Sequence, residues 1–61
     1  MLERALPEVL RQEIFLALVT AQDQGMPVQQ SRTAVAQRYT ISADSLGKIE
    51  REGLEKDWPP L

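Results

Sequence analysis

The apolar residues in the first third of the chain recur with the period of an α-helix. From Leu6 onward they are spaced three and four residues apart, on one side of a helix, at Leu6, Leu10, Ile14, Ala17, Leu18 and Ala21. Pro7 suits the first helical turn, where its missing N–H would have no partner anyway. Gly25 and Pro27 are typical of a chain that has just left a helix. The pattern predicts a first helix over residues 7–24.

A second, shorter helical pattern follows the loop that contains Gly25 and Pro27. Val35 and Tyr39 lie four residues apart, the spacing of one helical face, and the pattern predicts a second helix over residues 30–38. The next two residues interrupt the pattern with β-branched side chains. Ser42 then provides a favoured N-cap, which predicts that a third helix begins at residue 43.

The end of the third helix has two interpretations. If Gly53 takes the left-handed conformation that often follows a helix, the helix covers residues 43–52 and Leu54 contacts Ile49. Alternatively, the helix continues to Trp58 with the glycine inside it, at a cost of about 1 kcal/mol. We favour the earlier end.

The last residues are predicted to form a short extended tail over residues 54–61. Pro59 and Pro60 cannot continue a helix, and Trp58 is expected to pack over the core as a lid. The chain has 61 residues and no strand-like alternation of useful length, so it is expected to form one small all-α domain. A core of this size is marginal, because ordering each residue costs about 1.5 kcal/mol.

Composition excludes several classes of function. The chain has no Cys and no His, which removes the usual zinc ligands and the nucleophile–base pairs built on these residues. Its longest apolar run, residues 14–19, is far shorter than the roughly 20 residues of a membrane span. The N-terminus shows no signal segment. We therefore expect a cytoplasmic protein that is not an enzyme and needs neither a metal nor another cofactor.

The charges are distributed unevenly. The net charge is −2, from seven basic and nine acidic residues. Residues 1–31 hold two basic and four acidic groups, residues 32–51 hold four basic and two acidic groups, and residues 52–61 hold one basic and three acidic groups. Only the middle segment is positive. Glu50, Glu52 and Glu55, at the end of this segment and just beyond it, are expected to be a solvated run.

The positive segment resembles the helix-turn-helix of bacterial DNA-binding proteins. The core positions of that family correspond to Val35, Tyr39, Ile41, Leu46 and Ile49. Ala36 falls where the family needs a small residue, because two helices cross closely there. One position departs from the pattern, since the turn usually contains Gly and this chain has Thr40. The resemblance covers 20 of the 61 residues and implies a three-helix domain whose third helix enters the major groove.

This resemblance assigns candidate DNA-binding residues. On the outward face of the third helix and at its start they are Ser42, Ala43, Asp44, Ser45, Gly47, Lys48 and Arg51. On the preceding helix they are Gln30, Ser31, Arg32 and Arg38, which would contact the phosphate backbone. Lys48 is the better candidate for a base contact, and Arg51 for a phosphate. The alternative is that Lys48 and Arg51 form a solvated face paired with nearby acidic residues.

The first helix carries more apolar surface than one core stripe needs. Phe15, Leu16 and Val19 lie beyond the stripe, and a surplus of this kind in a small chain often marks an interface. We expect these residues to form a homodimer interface, because a two-fold dimer presents two reading helices about one DNA turn apart. Alternatively, the other helices and the tail cover this surface within one chain.

Together these patterns predict a small transcriptional regulator that binds double-stranded DNA sequence-specifically. It would act as a homodimer or as the DNA-binding part of a larger protein assembly. The alternative is a protein-interaction module that acts through the apolar first helix, such as an adaptor, an antitoxin-like partner or a small inhibitor. Salt-dependent binding to duplex DNA distinguishes the two hypotheses, because an adaptor would show none at moderate salt.

Overall fold

The computed structural model describes residues 6–60, which form three α-helices. They are α1 (Glu8–Asp23), α2 (Val28–Tyr39) and α3 (Ala43–Lys56). Each helix packs against both others, and residues 6–60 contain no β-strand. The predicted all-α class is therefore confirmed. Within the described part of the chain, no helix has the length and apolar character needed to cross a membrane.

The helices begin at positions that restrict the preceding backbone. Pro7 and Pro27 directly precede α1 and α2, and both have an extended conformation. At α3, Ser42 is the N-cap, and its Oγ accepts a hydrogen bond from the backbone N–H of Ser45 at 3.0 Å. Helix α2 starts two residues earlier than predicted. The reason is that the carbonyl of Pro27 already accepts the N–H of Ser31 at 2.9 Å, so helical bonding starts directly after the proline.

All three helices end with the same hydrogen-bonded arrangement, the Schellman motif. In each, a backbone N–H bonds to the carbonyl five residues earlier, at 3.0–3.2 Å, in the pairs Met26–Ala21, Ile41–Ala36 and Trp58–Gly53. The residue before each donor is left-handed, and these residues are Gly25, Thr40 and Asp57. The helix ends are thus closed mainly by backbone bonds.

The predicted end of α3 at residue 52 is wrong, because Gly53 lies inside the helix and is buried. A Cβ atom at this position would lie 2.4 Å from Cδ1 of Phe15. The glycine is therefore required by the close approach of α1 to α3. The left-handed residue that ends α3 is Asp57, and Leu54 is an exposed helical residue that does not belong to a tail.

The core is built around the ring of Phe15. The buried apolar residues are Ile14, Phe15, Leu18, Val35, Leu46, Ile49 and Trp58. The rings of Phe15 and Trp58 meet edge to face, with centroids 6.0 Å apart and an interplanar angle of 76°. Trp58 thus covers the core as predicted. Ala36 and Ile41, in the resembled motif, are half-buried and pack against this cluster.

The two glycines inside α3 generate a prediction with an internal control. Gly53→Ala and Gly47→Ala gain the same helix propensity, but only the first places a Cβ against Phe15, while the second meets no atom within 4 Å. We expect Gly53→Ala to be less stable than Gly47→Ala by about 1–3 kcal/mol, the usual cost of overpacking. Urea unfolding of both variants measures this difference. Equal stabilities would contradict the close approach of α1 to α3.

Candidate nucleic-acid interface

Helices α2 and α3 enclose an open groove with a volume of about 1040 Å³. Ala36 and Ile41 contribute small and apolar surface to it. Arg32 of α2 and Glu50 and Arg51 of α3 contribute charged groups. The groove therefore lies between the two helices of the segment that resembles a helix-turn-helix.

The buried residues of α3 fix which of its sides faces outward. Leu46, Ile49 and Gly53 point into the core. At 3.6 residues per turn, the opposite side carries Asp44, Lys48, Arg51 and Glu55, all of which are exposed. Of the other predicted residues on α3, Ala43 is exposed and Gly47 is half-buried, and both line the groove.

Three of the six basic residues in the described part of the chain form ion pairs with carboxylates. They are Arg11, Arg32 and Lys56. Arg11 binds Glu52 through two nitrogens, with Nε–Oε1 at 2.8 Å and Nη2–Oε2 at 3.1 Å, and it also donates to the carbonyl of Leu6. Lys56 reaches the same carboxylate at 2.8 Å. The pair of Arg11 and Glu52 joins α1 to α3 and belongs to the scaffold.

The remaining three basic residues have no carboxylate within ion-pair distance among residues 6–60. They are Arg38, Lys48 and Arg51, and all three are exposed. All three lie between the end of α2 and the middle of α3. Lys48 and Arg51 therefore do not form the predicted pairs with neighbouring acidic residues, and their positive charge faces solvent.

Arg32 was predicted to contact phosphate, but its guanidinium group already forms an ion pair within the chain. Its Nη2 atom donates to Oε1 of Glu50 at 2.8 Å, and this ion pair links α2 to α3. The side chain is 45% exposed, so the pair is accessible to solvent. A phosphate at this place would have to compete with Glu50.

Ser31 is wrong as a phosphate ligand, because it is completely buried. Its Oγ donates to the carbonyl of Val28 at 2.7 Å and accepts from Nε2 of Gln22 at 3.1 Å. The hydroxyl thus joins α1 to α2. Its neighbour Gln30 is exposed on the first turns of α2 but does not line the groove, whereas Gln29 does.

Two further residues that were predicted to bind DNA, Ser42 and Asp44, stabilise the first turn of α3. The hydroxyl of Ser42 caps the helix through the N–H of Ser45. Asp44 lies in the same turn, where a negative charge is favourable beside the helix N-terminus. This carboxylate also repels phosphate, so it disfavours a DNA backbone contact at this end of α3.

Arg38 lies beside an aromatic residue at the end of α2. Its guanidinium carbon is 5.5 Å from the ring centroid of Tyr39. The hydroxyl of Tyr39 donates to Glu13 of α1 at 3.1 Å. Burial raises the pKa of Tyr39, and the hydrogen bond to Glu13 raises it further. The phenol thus remains a neutral donor that fixes α2 on α1, with Arg38 outside.

The predicted dimer surface is largely used within the chain. Phe15 is completely buried and is therefore wrong as an interface residue, because its ring fills the contact between α1 and α3. Val19 is half-buried against the core. Leu16 remains 46% exposed, and Val9, seven residues earlier on the same side of α1, is 79% exposed. Val9 was not among the residues predicted to form the interface.

The acidic residues of α3 are not a uniform solvated run, because Glu52 accepts bonds from two cations. Hydrogen bonds from Arg11 and then from Lys56 lower the pKa of Glu52 to about 2. The partner Lys56 was visible in the sequence at a spacing of four residues. The partner Arg11 was not, because it is 41 residues away in the chain.

Comparison with protein-family models, curated proteins and solved structures found no match to this chain. Among residues 6–60, no cluster of three or more acidic side chains is arranged to hold a metal ion.

The low pKa of Glu52 predicts a specific loss of stability in acid. Because the pKa is lower in the folded chain than its ordinary value of 4.5, the contribution of Glu52 is complete above about pH 4.5 and disappears as the pH falls towards 2. Glu52→Gln is expected to be less stable than the parent at pH 7, and this difference should shrink towards pH 2. Thermal melts across this range test it.

Glu55→Gln is the matched control, since Glu55 lies on the same helix and has no ion pair among the described residues. Its stability difference from the parent should vary less with pH. A constant difference for Glu52→Gln from pH 7 to pH 2 would contradict the ion pairs of Glu52.

Proposed function

We propose that this chain binds double-stranded DNA sequence-specifically, with the outward side of α3 in the major groove. The observation that supports this proposal is the distribution of unpaired positive charge. Arg11, Lys56 and Arg32 are paired with Glu52 and Glu50, whereas Arg38 at the end of α2 and Lys48 and Arg51 on α3 are exposed and have no carboxylate partner among the described residues. Neutralising phosphates by exposed Lys and Arg is the main source of affinity for DNA.

The dimensions of α3 suit this function. Its 14 residues correspond to a length of about 21 Å, and a helix with side chains is roughly 10–12 Å across. The major groove is about 12 Å wide. The inward residues of α3 hold it to α1, so its outward side is free to meet base edges. Lys48 is our candidate for a base contact and Arg51 for a phosphate contact.

The proposed activity is that of a small regulator of transcription that acts in the cytoplasm. The segments before and after the positive one each carry a net charge of −2, and this negative charge limits non-specific attraction to DNA. A homodimer would present two copies of α3 to successive turns of the duplex. In such a dimer, Leu16 and Val9 of α1 are the available apolar contacts.

Two alanine variants test the DNA interface. Lys48→Ala and Arg51→Ala should weaken binding to a duplex selected by the parent from a random pool, while the melting temperature stays nearly unchanged because both side chains are exposed. Loss of a phosphate contact should lower the slope of log K against log salt by about one on every sequence. Loss of a base contact should cost about 1–3 kcal/mol on the selected duplex and little on random DNA.

Lys56→Ala is the matched control, because this cation lies on the same helix but is paired with Glu52. It should leave the affinity for DNA unchanged. If the parent binds no duplex at 50 mM salt, or if Lys48→Ala and Arg51→Ala both bind like the parent, the proposal is wrong.

The exposed apolar residues of α1 favour one alternative, a protein-interaction module. Val9 and Leu16 lie on one side of the helix and are far more exposed than the core residues. If this surface joins two copies of the chain, the parent should sediment as a dimer at high micromolar concentration and Val9→Glu/Leu16→Glu as a monomer. A monomeric parent that binds no DNA would support the alternative function, whereas a monomeric parent that binds DNA would exclude only the homodimer.

A further inference from the structure

The fold explains two of the three glycines of this chain. Gly25 has φ of +96°, a conformation that other residues rarely adopt. Gly53 has no room for a Cβ beside Phe15. Gly47 has neither reason, because its backbone is helical and a Cβ at this position would meet no atom within 4 Å. Packing and backbone conformation within the chain would both accept a side chain there.

A glycine in the interior of a helix is unfavourable, because it loses more backbone freedom on folding than any other residue. Gly47 lies in the fifth position of the 14-residue helix α3, away from either end. No cap or turn requires it there. The residue therefore destabilises α3 without a compensating contact inside the described chain.

The position of Gly47 relates it to the proposed DNA interface. Ala43, Gly47 and Arg51 follow one another at intervals of four residues, so they lie along one side of α3 and line the groove beside α2. Lys48 is the next residue along the chain. The smallest surface on α3 thus lies beside two of the three cations that lack a carboxylate partner.

We infer that Gly47 is the point at which α3 approaches duplex DNA most closely. This inference rests on the proposed function. A helix with ordinary side chains nearly fills the width of the major groove. Without a side chain at residue 47, the backbone of α3 approaches the base edges more closely, and the two neighbouring cations reach deeper into the groove. A methyl group at this position would hold the helix away from the bases.

The test measures stability and DNA binding on the same variants. Gly47→Ala should raise the melting temperature by about 4–8 °C, the shift expected for the helix propensity of alanine in a domain of this size. The same variant should bind the duplex selected by the parent at least tenfold more weakly. Its affinity for a random duplex of equal length should change less, because the loss arises at base edges. Gly47→Leu should bind still more weakly.

Thr20→Ala is the control for stabilisation alone, because Thr20 is exposed on α1, outside the groove, and alanine has the higher helix propensity. It should raise the melting temperature and leave binding unchanged.

If the parent selects no duplex, the proposed function fails and this inference with it. If the parent selects a duplex and Gly47→Ala binds it equally well, only this inference is overturned. An unchanged or lower melting temperature for Gly47→Ala also overturns it, because the glycine would then serve the fold.

Discussion

The contact between Phe15 and Gly53 is the constraint on which the rest of this small structure depends. The ring of Phe15 occupies the space that any side chain at residue 53 would need, so α1 and α3 approach each other closely at this point. The indole ring of Trp58 meets the same ring edge to face, and the backbone N–H of Trp58 donates to the carbonyl of Gly53. One aromatic ring thus fixes two helices and the chain that follows them. For a domain of about 60 residues, such dense packing compensates for the small amount of apolar surface available.

This contact also determines which charged residues of α3 form ion pairs with the other helices and which remain exposed to solvent. Once Gly53 faces α1, the rotation of α3 is fixed, and Glu52 is brought to Arg11 on the adjoining side. A second ion pair, between Arg32 and Glu50, joins α3 to α2. Lys48 and Arg51 are exposed on α3 and form no ion pair with either of these carboxylates. Their unpaired charge is therefore a consequence of how α3 is seated, and it is the basis of the function proposed above.

Local signals in the sequence predicted the helices well, and they failed where one residue type has two physical explanations. Periodicity and the prolines located α1 within one residue at each end, and Ser42 located the start of α3. Gly53 was misassigned because a glycine suits both a left-handed turn and a close helix contact, and only the three-dimensional packing separates them. The assignments of Phe15 to the dimer interface and of Ser31 to a phosphate contact were wrong for a related reason. Their burial depends on partners in other helices, which the spacing of one helix does not reveal. The exposure of Ala43, Asp44, Lys48 and Arg51 followed from the periodicity of α3, whereas Gly47, predicted on the same outward face, is half-buried.

The turn between α2 and α3 shows how this packing governs the proposed interface. Thr40 is left-handed, with φ of 55°, at the place where the resembled family usually has glycine. A β-branched residue in this conformation is strained, and such strain persists only where the surroundings determine the backbone. Here the N–H of Ile41 bonds to the carbonyl of Ala36, and the Ile41 side chain packs against the core. The turn is thus imposed by the closure of α2 and by burial of the residue after it, more than by the preference of Thr40 itself. The direction in which α3 leaves α2, and with it the presentation of Lys48 and Arg51, is therefore a property of the whole core.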